Sequence, residues 1–189
     1  MSKLYGFKFA REIAIDQWQL LLNHSFTTAY ELLSVKPQSF FLFSEENITA
    51  SLSELLPIME SDLSCQIAVL ITHDNDLFCQ EALNLAFKYQ RGQVLNLADV
   101  CLIASIRKEV VFLDMLRNYF NNVEAELLRT IVVFLQHALS HLATADYLYI
   151  HRNTLAYRLN QFQQLTKMNI ADFDNAAFFR TWCSLFKIN

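Results

Sequence analysis

Apolar residues recur along this chain in two periods, and the change from one to the other separates a mixed region from a wholly helical one. Phe7, Phe9 and Ile13 alternate loosely with polar residues, which fits a strand or an arm over residues 1–15. From Asp16 to Leu33, the residues Trp18, Leu21, Leu22, Phe26, Ala29 and Leu33 fall at helical spacing. Pro37 disfavours helix at Lys36, and the aromatic run Gln38–Phe43 predicts a strand. Glu45–Asn47 reads as a turn. Thr49 or Ser51 is placed to cap a helix running to about Glu60, with Leu52, Leu55, Leu56 and Met59 inward. Cys65–Thr72 is continuously apolar and predicts a strand buried on both faces. His73–Asp76 is a loop ending in N-cap candidates, and Leu77–Gln90 follows as a helix closed by Arg91-Gly92. Gln93–Leu97 predicts a further strand.

The rest reads as helix. Residues 99–120 are apolar beyond the needs of one stripe, with a break expected near Arg107-Lys108. Asn121-Asn122 can cap the next helix, about Val123–Leu139, with Leu128, Ile131, Val132 and Leu135 inward. After a link at Asn169–Asp172, Asp174 or Asn175 can cap a last helix carrying Ala176, Phe179, Trp182, Cys183 and Phe186. The expected fold class is α+β: a small helix-covered sheet at the N-terminal side, followed by an all-α helix-turn-helix domain. The expected division is a small α/β domain over 1–98, a connecting helix over 99–122 and the helix-turn-helix domain over 123–189.

Between these lies Ser140–Lys167, SHLATADYLYIHRNTLAYRLNQFQQLTK, which predicts two helices joined by a tight turn. The first covers about Leu142–Leu148 and the second starts at Arg152 or Asn153. Leu142, Ala145 and Leu148 supply an apolar face, Ile150 fills the turn, and Leu155, Leu159 and Phe162 form one stripe. Ala145 is small where two crossing helices would touch. This is the pattern of a helix-turn-helix whose second helix enters a major groove. At 100° per residue, Asn153, Tyr157, Asn160 and Gln164 lie opposite that stripe, flanked by Arg152, Thr154 and Arg158. Arginine suits guanine or phosphate, asparagine suits adenine, and threonine and tyrosine suit phosphate oxygens. His151 stands at the N-cap. A core helical hairpin with a solvated polar face would show the same spacing.

The wording of the segment narrows the choice. Leu148, Ile150-His-Arg-Asn-Thr-Leu155, Arg158-Leu159 and Leu165-Thr166 resemble the C-terminal helix-turn-helix of PucR/CdaR-type bacterial transcription regulators. The resemblance is specific over Ala125–Asn189 and weaker over Cys65–Glu124. It implies double-stranded DNA as partner; together with the outward face of the second helix, it makes His151, Arg152, Asn153, Thr154, Tyr157 and Arg158 the expected DNA-binding residues. It further implies that Glu81–Tyr89, Val94–Leu97 and Ala98-Asp99 end a degenerate cyclase-like domain. Two departures stand out. Tyr149 occupies a position commonly held by a small residue, often glycine, and Ala156 one often held by a basic residue, which removes a contact to phosphate or base.

Composition bounds the alternatives. The 189 residues are 53% hydrophobic with only two glycines and two prolines, enough apolar material for a core and few special turns. With Gly6 and Gly92 alone, no glycine-rich phosphate loop can form, and no Gly-Gly-Asp/Glu-Glu-Phe signature is present. That leaves a nucleotide cyclase or P-loop enzyme without its machinery. The net charge is −4, which is not a nucleic-acid binder's balance. It is uneven, however: nine Lys and Arg against fifteen Asp and Glu over 1–124 give −6, while six against four over 125–189 give +2. Cys65, Cys79, Cys101 and Cys183 form no CxxC pair and read as buried free thiols of a reducing cytosol. Cys65, His73 and Cys79 match no zinc spacing, and His137 and His141, four apart as two ligands could be, lack an HExxH frame and a carboxylate ligand, so no metal and no cofactor is expected. The first fifteen residues lack the apolar core of a signal peptide, and no apolar run approaches a membrane span, so a cytoplasmic protein is expected.

These readings converge on a regulator that is not an enzyme. One short recognition helix buries too little surface alone, so a homodimer on two half-sites is expected, with residues 1–120 supplying dimerisation and sensing of an effector the sequence does not name. The alternative is a protein–protein module that keeps the fold without contacting DNA. Ala156 and the acidic balance favour it.

Overall fold

The computed structural model describes residues 3–26 and 28–187. Its chain divides between Lys108 and Glu109 into two units. In the first, alternation along β1 (Lys3–Phe9) turns Tyr5, Phe7 and Phe9 to one face of a sheet and Gly6 to the other. The chain continues through α1 (Ile15–Ser25), β2 (Tyr30–Lys36), β3 (Ser39–Ser44), α2 (Thr49–Leu63), β4 (Ile67–Thr72), α3 (Leu77–Tyr89), β5 (Val94–Asn96) and α4 (Leu97–Arg107). The strand order is β2-β3-β1-β4-β5, antiparallel throughout except for the parallel β4–β5 pair. The first four strands with α1 and α2 have the split βαββαβ arrangement of ferredoxin-like units.

Helices cover both faces of this sheet. Trp18 and Leu22 of α1 and Leu52, Leu56 and Met59 of α2 join Tyr5, Phe7, Phe9, Phe40, Leu42, Ile67 and Val69 in one core. On the opposite face α3 lies over β1, where Gly6 leaves room for the ring of Phe41 and for Leu83. A Cβ at Gly6 would stand 3.0 Å from Phe41 Cε1 and 3.2 Å from Leu83 Cδ2. All six residues of β4 are buried, as its unbroken apolarity predicts.

Three expectations need correction in this unit. The helix expected over Asp16–Leu33 stops at Ser25, and Tyr30–Lys36 forms a strand paired antiparallel with β3. The spacing of Phe26, Ala29 and Leu33 mimics a helix, but Tyr30 and Leu32 alternate onto the core face, and pairing with β3 satisfies the backbone. Neither Thr49 nor Ser51 caps α2. The N-cap is Ile48, whose N–H donates to the hydroxyl of Tyr5 at 3.0 Å, while Asn47 Oδ1 accepts from the Thr49 N–H. That helix also runs past Glu60 to Leu63, ending at Ser64 with φ 47°. Elsewhere the caps are local: Asp76 accepts from the Cys79 N–H, and Asn96 and Asp99 close a capping box on α4.

The second unit is helical: α5 (Val110–Asn118), α6 (Ala125–Gln136), α7 (His141–Leu148), α8 (Arg152–Thr166) and α9 (Phe173–Phe186). Its centre is aromatic. Phe120 stacks on Phe162 and meets Phe178, Phe179 and Trp182 at 4.6–6.1 Å between ring centroids. The indole N–H of Trp182 donates to the Leu116 carbonyl at 3.0 Å, joining α9 to α5. Asn121 and Asn122 do not cap α6; Glu124 occupies that position without a side-chain cap. The inward face of α6 is Leu127, Thr130, Ile131, Val133 and Phe134, turned from the expected Leu128, Ile131, Val132 and Leu135. The observed stripe takes in Phe134 and also Thr130, whose hydroxyl is satisfied by the Glu126 carbonyl. Two left-handed residues, Ala138 and Leu139, end that helix earlier than expected. Asp172, not Asp174 or Asn175, caps α9 and accepts from both of their N–H groups.

Among the described residues no helix is long and apolar enough to cross a membrane. Cys65, Cys79 and Cys101 are buried and Cys183 is partly exposed, all as free thiols. Burial holds the Cys79 and Cys101 thiols well above their ordinary range, the nearby Asp76 adding to the effect on Cys79.

Candidate nucleic-acid interface

The hairpin of α7 and α8 is built by short-range hydrogen bonds. Ser140 caps α7 by accepting from the Ala143 N–H at 3.3 Å, and the Thr144 hydroxyl donates to the Ser140 carbonyl at 2.7 Å. At the other end Tyr149 takes a left-handed conformation, φ 53°, and the Ile150 N–H reaches back to the Ala145 carbonyl at 3.0 Å. This is the six-to-one bond of a Schellman stop, usually built on glycine. His151 then caps α8: its Nδ1 accepts from the Asn153 N–H at 3.2 Å.

Packing fixes which side of α8 faces outward. Leu155 and Phe162 are fully buried, Leu159 is half-buried, and Ala145 of α7 is buried. Leu142, expected on the inner face of α7, is 74% exposed, and Thr144 is buried in its place. The hydroxyl of Thr144 is satisfied within its own helix, so it can be buried without an orphaned donor.

Arg152, Asn153, Thr154, Ala156, Tyr157, Asn160 and Gln164 are all exposed, as is His151. Tyr157 keeps 66% of its surface open. The set offers a cation, amides and hydroxyls along one side of a 15-residue helix. Such groups can donate to phosphate oxygens and pair with base edges.

Arg158 is oriented differently. Its Nη2 pairs with Glu126 Oε1, and its Nη1 donates to Thr130 Oγ1 at 3.2 Å. Its side chain is 21% exposed, against 70% for Glu126. A pair this open contributes about 0–1 kcal/mol to stability. Glu126 and Thr130 had no part in the expected site, although their i, i+4 spacing places them on one side of a helix, the only sequence signal available. His137 and His141 turn to separate aromatic partners, Tyr147 at 4.9 Å and Phe134 at 5.2 Å.

Residues 127–182 match the PucR C-terminal helix-turn-helix domain. Over 49 residues, 26% of this chain and 13% of the relative, the sequence is 45% identical to the carbohydrate diacid regulator of Escherichia coli (strain K12). Over 61 residues it is 36% identical to the proline-responsive transcriptional activator PutR of Bacillus subtilis (strain 168), covering 32% of this chain and 13% of that one. A leucine-rich protein of Streptococcus dysgalactiae subsp. equisimilis is 27% identical over 145 residues, 69% of this chain and 51% of its own length. The matched stretches thus span between 13% and 51% of these relatives. The segment from Leu127 to Trp182, with α7 and α8 at its centre, is thus a helix-turn-helix domain similar to the C-terminal one of PucR.

Proposed function

We propose that this protein is a transcriptional regulator of PucR type that lays α8 in the major groove of duplex DNA. The observation that carries this reading is the division of α8 into two sides. Leu155 and Phe162 hold one side in the core, while Arg152, Asn153, Thr154 and Tyr157 stand free on the other. His151 at the helix start and the open N–H groups of the first turn favour a phosphate there. The names of two relatives, a regulator and a transcriptional activator, support the same reading.

One such helix buries too little surface for specific affinity, so the protein acts as a homodimer on half-sites one helical turn, or a multiple of it, apart. The sheet unit serves dimerisation or regulation. We read it as a cyclase-like scaffold without catalysis, because both glycines of the chain have structural posts: Gly6 beneath a ring and Gly92 at φ 70° after α3.

Footprinting on the DNA upstream of its own gene, followed by a salt titration, tests this. Real phosphate neutralisation lowers log affinity with log salt by about 0.9 for each contact. Replacing Arg152 or Asn153 by alanine should cost about 1–3 kcal/mol of binding if each makes a good base contact. A flat salt response with both variants unchanged would instead select the protein–protein module, which Ala156 and the net charge of −4 favour.

A further inference from the structure

Arg158 lies on α8 one residue after Tyr157 and four after Thr154, yet its guanidinium does not join their side. It reaches to α6, where Nη1 meets Thr130 Oγ1 at 3.2 Å and Nη2 meets the Glu126 carboxylate. Thr130 is 1% exposed, and its hydroxyl donates to the Glu126 carbonyl at 2.9 Å, so a lone pair is left for Arg158. Two separate acceptors for one planar fork is a task a lysine ammonium performs poorly.

We propose that Arg158 is a positioning residue: gripped by Glu126 and Thr130, it sets the roll of α8 and contacts no DNA. This rests on the reading that α8 faces the duplex. Leu155, Leu159, Phe162 and Thr166 hold the helix by one stripe about 60° wide, and contacts within one stripe resist lifting more than rolling. Arg158 stands outside that stripe and fastens α8 to α6, which is where a brake on rolling must act. A roll of about 10° carries a side-chain tip some 6 Å from the axis through about 1 Å. A recognition group must be held within about 0.5 Å. Charge points the same way, since the Glu126 carboxylate beside the guanidinium repels an approaching phosphate.

The test uses the full chain, with Glu126→Gln and Arg158→Lys, well below their unfolding temperatures. The probes are a duplex that the wild type selects from a randomised pool and a duplex of random sequence. Both variants should lose about threefold to fivefold on the selected duplex, keep their affinity for the random one, and show an unchanged salt slope. A merely structural pair would lower the unfolding temperature and leave discrimination intact, which overturns the proposal. Tighter binding of Glu126→Gln to both duplexes, with a slope steeper by about 0.9, would make Arg158 a masked phosphate contact and also overturn it. If the wild type binds no duplex, the reading of α8 as a DNA helix fails by itself. Hydrogen exchange on the free protein then decides the positioning role. Faster exchange confined to the α8 amides in both variants supports it, and unchanged protection removes it.

Discussion

Phe162 stacks on Phe120 with ring centroids 6.0 Å apart and planes inclined by 25°. Phe162 also meets Phe179 edge-on at 5.7 Å, so one side chain of α8 fills the centre of the helical unit. Both Phe162 and Phe179 are fully buried. Replacing Phe162 by alanine should therefore cost about 3–5 kcal/mol, read as a lower midpoint for loss of helical circular dichroism in urea. Replacement by leucine should cost less, because part of the volume is kept.

Gly6 admits no side chain without movement of its neighbours. In Gly6→Ala the new methyl would press on Phe41 at 3.0 Å and on Leu83 at 3.2 Å, both from buried residues. The expected loss is about 1–3 kcal/mol, seen in the unfolding of the sheet unit. A valine at the same place should prevent folding of that unit, checked by the loss of Trp18 emission from a buried environment.

His151 closes the start of α8 through its Nδ1. His151→Ala should destabilise the helical unit by about 0.5–2 kcal/mol, and His151→Asn should recover most of it. If His151 also meets phosphate, the asparagine variant will regain stability without regaining DNA affinity, which a binding titration separates from thermal melting.

Cys183 gives a prediction at high pH. Partial burial pushes its thiol up to about 11, from an ordinary 9.0. The folded state thus holds a proton that the unfolded chain releases above pH 9. The stabilisation from this group is complete below pH 9 and is lost as pH rises through about 11. Unfolding midpoints should fall over that window in the wild type, and fall less in Cys183→Ala. Cys79 and Cys101, more deeply buried, should resist thiol reagents until the protein unfolds.

Legibility in the sequence follows the range of the forces involved. The strand Ile67–Thr72, the helix after Asp76 and the break at Lys108 rest on local patterns, and each is where the residues predict it. The strand Tyr30–Lys36 was hidden because it is stabilised by pairing with Ser39–Ser44, while Phe26, Ala29 and Leu33 imitate a helix. The rotation of α6 was hidden for a related reason: apolar residues lie on too many sides of it for periodicity to choose one. The outer face of α8 needs only the angle between successive residues, so Asn153 and Tyr157 could be placed in advance. The partners of Arg158 lie 28 and 32 residues away, and only the packing of α6 on α8 brings them together.

Tyr149 closes α7 in a left-handed conformation that a side chain resists by about 1–2 kcal/mol, and its ring stands 95% exposed, with little burial to offset that resistance. The bend between the two helices therefore rests on its local hydrogen bonds and on the core behind it, against the preference of Tyr149. A peptide of residues 140–167 cut from the chain would keep the first support but lack the second and should straighten or fray, whereas Tyr149→Gly in the whole protein should melt later. The recognition hairpin is in this sense not a portable part: its shape exists only while the aromatic body behind it is folded.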